Sequence, residues 1–414
     1  LDPGDGQGRC FFPGCDYYHP SVAELDDDAL ADPFSDPFDR AVQCRMPWHD
    51  VHCRVAGEAA RDVAISFVQR WNHHHWSDDE VPRPLPLIPR VGGPGAAPAG
   101  RAATAQVLRS LASWNGGAFH ETSIYNAWLD AIERSERFIY IEQQFFISSL
   151  AGEPVVNRVA EALLTRLSRA IRERARFRVV VVLPVHPEGN FREQSKVWAL
   201  LGWQYRTISR GGQSLLERLR DEFPGVDLDD YVAFFSLRGH AVTPDRCVTS
   251  QIYVHSKLVI VDDRLAIIGS ANINDRSLLG VRDSEIALRI ETPAGMGANP
   301  VRDFRVALWN HHLGLPEHSQ ACADPTSELV YRDLWLATAD SNTELYQRVF
   351  PDLPHSRFTT LAELEEAGPG PIEPGRLAGV RGTLVRHPLG FLANEDLTTS
   401  PWDVEFVLGD DLLT

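Results

Sequence analysis

The stretch Gln251-Ile252-Tyr253-Val254-His255-Ser256-Lys257-Leu258-Val259-Ile260-Val261-Asp262-Asp263-Arg264-Leu265-Ala266-Ile267-Ile268-Gly269-Ser270-Ala271-Asn272 sets both the fold and the chemistry of this chain. Gln251 to Val261 is apolar at alternate and intervening positions alike, the pattern of a strand covered on both faces. Residues two apart on a strand share a face, so His255 and Lys257 are expected to project into one space. Leu265 to Ile268 reads as a second strand, paired to the first through an Asp262-Asp263 turn. Gly269-Ser270-Ala271-Asn272 then supplies small and amide groups.

These residue types suit a phosphate. Histidine titrates near neutral pH and serves as nucleophile or as general acid and base. The lysine beside it offers a fixed positive charge to phosphate oxygens, and Ser270 and Asn272 can donate hydrogen bonds to the same group. A lone His-x-Lys in a strand is usually incidental. Here it recurs with Asp262 and Gly269-Ser270-x-Asn272 in the spacing H-x-K-x4-D-x6-G-S-x-N. Of the 40 Lys and Arg residues, only Lys196 and Lys257 are lysine, which makes a lysine inside this pattern less incidental. A charged pair in an apolar strand must find partners or serve chemistry. Glu285, which opens the strand-like run 284–291, is placed to accept a hydrogen bond from His255 and hold its tautomer. Asp262 is expected to tie the turn to backbone or to an arginine.

The surrounding blocks resemble the eukaryotic phospholipase D family of the HKD superfamily. Tyr253 to Lys257 with Ile268 to Glu285 is similar to that family's C-terminal HKD motif. In order with it stand Arg45-Met46-Pro47-Trp48-His49-Asp50-Val51, Ala60 to Val63, Gln69 to Asn72 and Gln106 to Ser110. Ile139-Tyr140-Ile141-Glu142-Gln143-Gln144-Phe145-Phe146 and Leu384-Val385-Arg386-His387-Pro388-Leu389 complete the likeness, which runs from about residue 10 to 397. Gln143 stands where the family usually has Asn. The blocks after Arg45 lean toward animal relatives, whereas Leu308 to Gly314 and the tail lean toward plant ones.

The resemblance implies hydrolysis of phosphatidylcholine to phosphatidic acid and choline, or transfer to an alcohol, through a phosphohistidine. It implies catalytic roles for His255, Lys257, Asp262 and Glu285, phosphate contacts from Lys257, Ser270 and Asn272, and support from Glu142 and Gln144. The chemistry needs no cofactor and no metal; calcium or phosphoinositide dependence would enter through N-terminal modules. The expected partners are a phospholipid surface, bound peripherally from the cytoplasm, and the N-terminal HKD half of the same enzyme. No nucleic acid is expected. The motif occurs once, however, and the family uses two copies. The other would lie upstream of Phe12 to Tyr18, so the chain reads as the C-terminal half of a longer enzyme. A single-motif phosphodiesterase or nuclease completed by homodimerisation, and a catalytically silent interaction module, are the alternatives.

Composition agrees. At 414 residues the chain supports two or three domain-sized units. No apolar run approaches the ~20 residues of a membrane span. A net charge of −17 disfavours broad nucleic-acid binding and long-range attraction to anionic surfaces. The six cysteines show no CxxC pair, which points to reduced thiols. Cys44, His49, His52 and Cys53 lie close in sequence, but their spacing matches no usual zinc module.

The expected fold is α/β, a mixed β-sheet flanked by helices with an irregular C-terminal tail. Residues 1–103 form the segment and linker after the absent first motif, with a proline-rich loop at 77–100; 104–315 form the catalytic lobe, and 316–414 a helical and irregular extension. Helices are expected at 122–136, 157–174, 194–220, near 300–313 and at 326–350. Strands are expected at 137–141, 177–184, 230–237, 251–261, 265–270 and 284–291.

Overall fold

A computed structural model describes residues 44–75, 103–116, 120–187, 196–243, 246–293, 298–368 and 374–397, with isolated positions between 25 and 38. The 77–100 loop, Cys10, Cys15 and the Phe12 to Tyr18 block lie outside the described residues. The strands are β1 (Trp48–His49), β2 (Thr104–Leu111), β3 (Glu121–Thr122), β4 (Phe138–Glu142), β5 (Arg178–Val182), β6 (Val232–Thr243), β7 (Arg246–Val254), β8 (Leu258–Val261), β9 (Leu265–Gly269), β10 (Glu285–Glu291) and β11 (Leu384–Arg386). The helices are α1 (Glu58–His75), α2 (Ser123–Arg134), α3 (Val159–Arg172), α4 (Lys196–Ile208), α5 (Leu215–Glu222), α6 (Asp275–Leu278), α7 (Pro300–Leu313), α8 (Ala337–Val349) and α9 (Leu361–Ala367). A π-helical segment, Leu329–Leu336, runs directly into α8.

All eleven strands join one mixed sheet in the order β1-β7-β6-β5-β4-β8-β9-β10-β2-β3, with β11 pairing Phe235 to Leu237 of β6. β4, β5 and β6 are parallel, and every residue of β4 and β5 is buried. That is why both read as unbroken apolar runs: helices cover each face. Ile139, Ile141, Val179, Val181 and Phe234 point to the face covered by α2, α3 and α5. Tyr140, Val180, Val182, Phe235 and Ile260 point to the other, under α7, the π-helical segment and α8. The alternation along each strand therefore builds two cores, one on either side of the sheet.

Three expectations are modified. The 194–220 helix is two helices, because Gly211 and Gly212 take left-handed backbone (φ 103° and 84°) and Ser214 with Glu217 forms a capping box that starts α5. The tail is less irregular than expected: α9 and β11 form within it, and Phe391 and Leu392 pack against Val197, Leu201 and Tyr205 of α4. Finally, the strand expected over 251–261 is broken at His255-Ser256-Lys257. β7 lies between β1 and β6, whereas β8 lies between β4 and β9, so these three residues carry the chain across the ends of β6, β5 and β4.

The turn after β8 is held from both sides. Asp262 and Asp263 both sit at positive φ (54° and 56°), and their carboxylates offset that strain. Asp262 accepts the backbone N–H groups of Glu136, Arg137 and Phe138 at 2.7–2.9 Å, fixing the entry to β4. Asp263 pairs bidentately with the fully buried Arg305 of α7, at 2.9 and 2.7 Å. Asp262→Ala removes three charge-assisted bonds and leaves the strained turn. It should lower stability by about 2–4 kcal/mol, read as a drop in the urea midpoint with an unchanged m-value.

Candidate active site

His255 and Lys257 stand at the strand break, and what surrounds them comes from four other elements. His255 N donates to His49 O at 2.8 Å, which seats the motif on β1. The His255 ring is partly exposed. Its Nδ1 lies 2.8 Å from Asp50 Oδ2, and Trp48 packs beside it with ring centroids 5.0 Å apart. A carboxylate on Nδ1 selects the tautomer that leaves Nε2 for chemistry. Burial works against the Asp50 carboxylate. The hydrogen bond and charge of His255, the Val51 N–H and the Lys257 charge outweigh it, so the Asp50 pKa falls below its usual value.

The expectation that Glu285 would orient His255 is corrected here: Asp50 occupies that position. Glu285 instead accepts from Ser270 Oγ, at the start of β10. Burial raises its pKa to about 7, with Asp283 adding to the rise and Ser270, Ser277 and Lys257 opposing it. Asp50 and Glu285 both feel the charge of Lys257.

Lys257 is 6% exposed. Its Nζ donates to Gln144 Oε1 at 2.9 Å and to the His255 carbonyl. Asn272 Nδ2 reaches the same Gln144 oxygen at 3.3 Å, so Gln144 joins the lysine to the amide. Gln143 accepts from Ile273 N at 3.3 Å and donates to Ala271 O at 3.5 Å, holding the loop on both sides of Asn272. Lys257, Asn272 and His255 are thus brought together, while Ser270 turns to Glu285. Asp262 is not among them: it closes the opposite end of β8, where it holds backbone.

Beneath the motif lies a group of residues whose joint role the sequence did not show. Glu142, at the end of β4, is completely buried. It receives Tyr140 Oη at 2.6 Å, Ser256 Oγ at 2.6 Å, His49 Nε2 at 2.9 Å and His312 Nε2 at 2.9 Å. Ser256 points inward to this carboxylate while its neighbours His255 and Lys257 point to the site. Burial raises the cost of ionising Glu142, yet the charge of His49 and the bonds from both histidines hold its pKa well below the ordinary range. His49 loses by burial but gains more from Glu142, so its pKa is raised; burial lowers that of His312.

Among the described residues this is the one group of three ligand-type side chains close enough for a metal ion, with the three ligand atoms within 4.8 Å of one another. Four donors already take up the carboxylate, and hydrogen bonding accounts for the cluster. The cysteine and histidine set near residue 50 does not converge: Cys44 Sγ faces Thr249 O, Cys53 is exposed, and His49 turns to Glu142.

The phospholipase D family model matches residues 27–246 and 239–368. This chain belongs to the phospholipase D family. It is 44% identical over 328 residues to phospholipase D A of Dictyostelium discoideum, covering 74% of this chain and 25% of that protein. It is 38% identical to mouse phospholipase D1, covering 93% of this chain and 39% of the relative. To phospholipase D zeta 2 of Arabidopsis thaliana it is 34% identical, covering 93% and 49%. The chain therefore spans between a quarter and half of the length of these phospholipase D relatives. Within the family frame, Asp50 and His312 were visible only as members of the Arg45 to Val51 and Leu308 to Gly314 blocks, and His49 also as one of the cysteine and histidine set near residue 50.

The charge on Glu142 sets a pH signature. Its depressed pKa gives stability that is present above its ordinary value of 4.5 and lost as pH falls through the folded value. The raised His49 pKa gives stability that is full below 6.5 and lost as pH rises through its folded value. Glu142→Gln should cost about 3–5 kcal/mol where both are charged. Urea titrations should show the gap from wild type widest near pH 5–6.5 and narrowing above it.

Proposed function

We propose that this chain is the C-terminal catalytic half of a phospholipase D that hydrolyses phosphatidylcholine to phosphatidic acid and choline, or transfers the phosphatidyl group to an alcohol. The observation that carries this reading is a single anchored histidine: Asp50 fixes Nδ1 of His255, and Nε2 has no partner among the described residues. Lys257 and Asn272 flank it as phosphate contacts. The names of the relatives support the reaction class.

A second His-Lys pair, from the other half of the enzyme, completes the site. Its histidine attacks phosphorus and forms the phosphohistidine. His255, protonated at Nε2, gives that proton to the departing choline oxygen. Neutral His255 then takes a proton from water, which attacks phosphorus, breaks the P–N bond and frees phosphatidic acid. Lys257 and Asn272 hold the non-bridging oxygens as charge builds on them. Glu285 suits the incoming histidine as Asp50 suits His255: it is a partly buried carboxylate within reach of the Lys257 charge, and a facing imidazolium would draw it into its ionised form. The substrate implies peripheral contact with a phospholipid surface from the cytoplasm. No helix among the described residues is long and apolar enough to cross a membrane.

Choline release from phosphatidylcholine vesicles tests the reading, with this chain alone and mixed with the N-terminal half. Activity is expected only on mixing, and His255→Ala should abolish it. Activity of the chain alone that is lost on dilution would instead identify a homodimeric phosphodiesterase. Folded protein that is silent in both arms would leave an interaction module. In the active mixture, Asp50→Asn should lower kcat by about 10²–10⁴ with little change in KM, because the amide no longer enforces the productive tautomer.

A further inference from the structure

Arg238 of β6 is a buried cation that no carboxylate pairs among the described residues. It is 6% exposed. Its Nη1 donates to Thr249 Oγ1 at 3.2 Å, and its guanidinium lies 5.9 Å from the centre of the Tyr346 ring. Asp352 acts on it only at longer range, and burial lowers its pKa to about 10. Two other buried arginines carry an acid: Arg305 holds Asp263 and Arg178 holds Glu328. Arg166, equally buried, instead gives its guanidinium to the Ser135 and Glu136 carbonyls. A charge removed from water without a counter-charge is costly, so the missing partner calls for a physical account.

His387 presents the same problem a short distance away. It is 3% exposed. Nδ1 lies 2.9 Å from Ser236 Oγ, and Nε2 is buried with no partner. In the tautomer that accepts the Ser236 hydroxyl at Nδ1, the ring proton sits on Nε2 as an unused donor. Burial and the Arg210 charge keep the ring neutral, with its pKa lowered to about 3.

Both side chains line one cavity of about 60 Å³ between β6, α8 and the segments around 353–356 and 385–388. Tyr346, Gln347, His355 and Arg386 line it too, and among the described residues no carboxylate does. In a chain of net charge −17, Arg238 brings to this void a guanidinium that no carboxylate pairs among the described residues, whereas Arg386 beside it is held by Asp340 and Asp229. The cavity shares no residue with the candidate active site.

We propose that this cavity is a site for one tetrahedral oxyanion of phosphate size, met either as free phosphate or as the phosphomonoester headgroup of a lipid. Arg238 supplies the counter-charge and a planar donor fork, and His387 supplies the Nε2 proton. The site stands on this geometry alone and does not depend on the reaction proposed above.

The test is the melting temperature of the chain titrated with inorganic phosphate, with sodium chloride at matched ionic strength as control. A second arm uses water-soluble dibutyryl phosphatidic acid. Lys257→Met serves as the background, to remove phosphate contacts at the candidate active site. Phosphate should still raise the melting temperature by a few degrees at saturation. Arg238→Met and His387→Phe, each added to that background, should weaken the effect at least tenfold. The phenyl ring keeps the packing of His387, so this variant remains informative if Arg238→Met fails to melt cooperatively. Dibutyryl phosphatidic acid acting at tenfold lower concentration than phosphate would mark a lipid headgroup as the source; equal potency would mark the free ion. A shift no larger than that of chloride, or one that survives both variants, would overturn the site and leave the cavity to water.

Discussion

A carboxylate with no access to water, Glu142, is the constraint on which the rest of this site depends. An ionised acid at the end of a central strand is tolerated only if enough donors reach it. The four that do come from β1, β4, the motif and α7. Those bonds therefore fix where β1 docks against β7 and how α7 lies on the sheet. They also fix the direction in which Ser256 points. Because neighbouring side chains point opposite ways along an extended chain, holding Ser256 inward turns His255 and Lys257 outward. The catalytic geometry thus depends on a buried ionic cluster that need not touch substrate.

The motif residues divide between the two ends of β8. At one end His255 and Lys257 face Asp50, Gln144 and Asn272. At the other, Asp262 gathers three backbone N–H groups and Asp263 grips Arg305. Between them β8 is a fully buried strand clamped by β4 and β9. Such a strand transmits position rather than charge. Asp262 acts as an anchor for the strand that carries the lysine, which explains its fixed spacing from Lys257 without a part in the chemistry.

The cavity by Arg238 shows the converse arrangement. There a buried guanidinium has no carboxylate bonded to it among the described residues, in a molecule that has acids in excess. The two sites lie on the same sheet, near one end of β7: Arg238 pairs with Gln251, and Val254 leads into His255.

Much of this was legible in the residues themselves. The apolar runs of β4, β5 and β8 announce strands covered on both faces. The 3.6-residue spacing in α3 announces the helix that covers one of them, and H-x-K with G-S-x-N announces a phosphate site. These are local patterns, set by side-chain periodicity and by residue chemistry within some twenty positions. What only the tertiary structure decided was pairing over long separations. His255 is 205 residues from Asp50 and 30 from Glu285, and sequence proximity favoured the wrong carboxylate. Glu142 is 93 residues from His49 and 170 from His312. No periodicity encodes such partners. They are selected by the order of strands in the sheet, which places the end of β4 beneath the break between β7 and β8, and by the cost of leaving a buried charge alone.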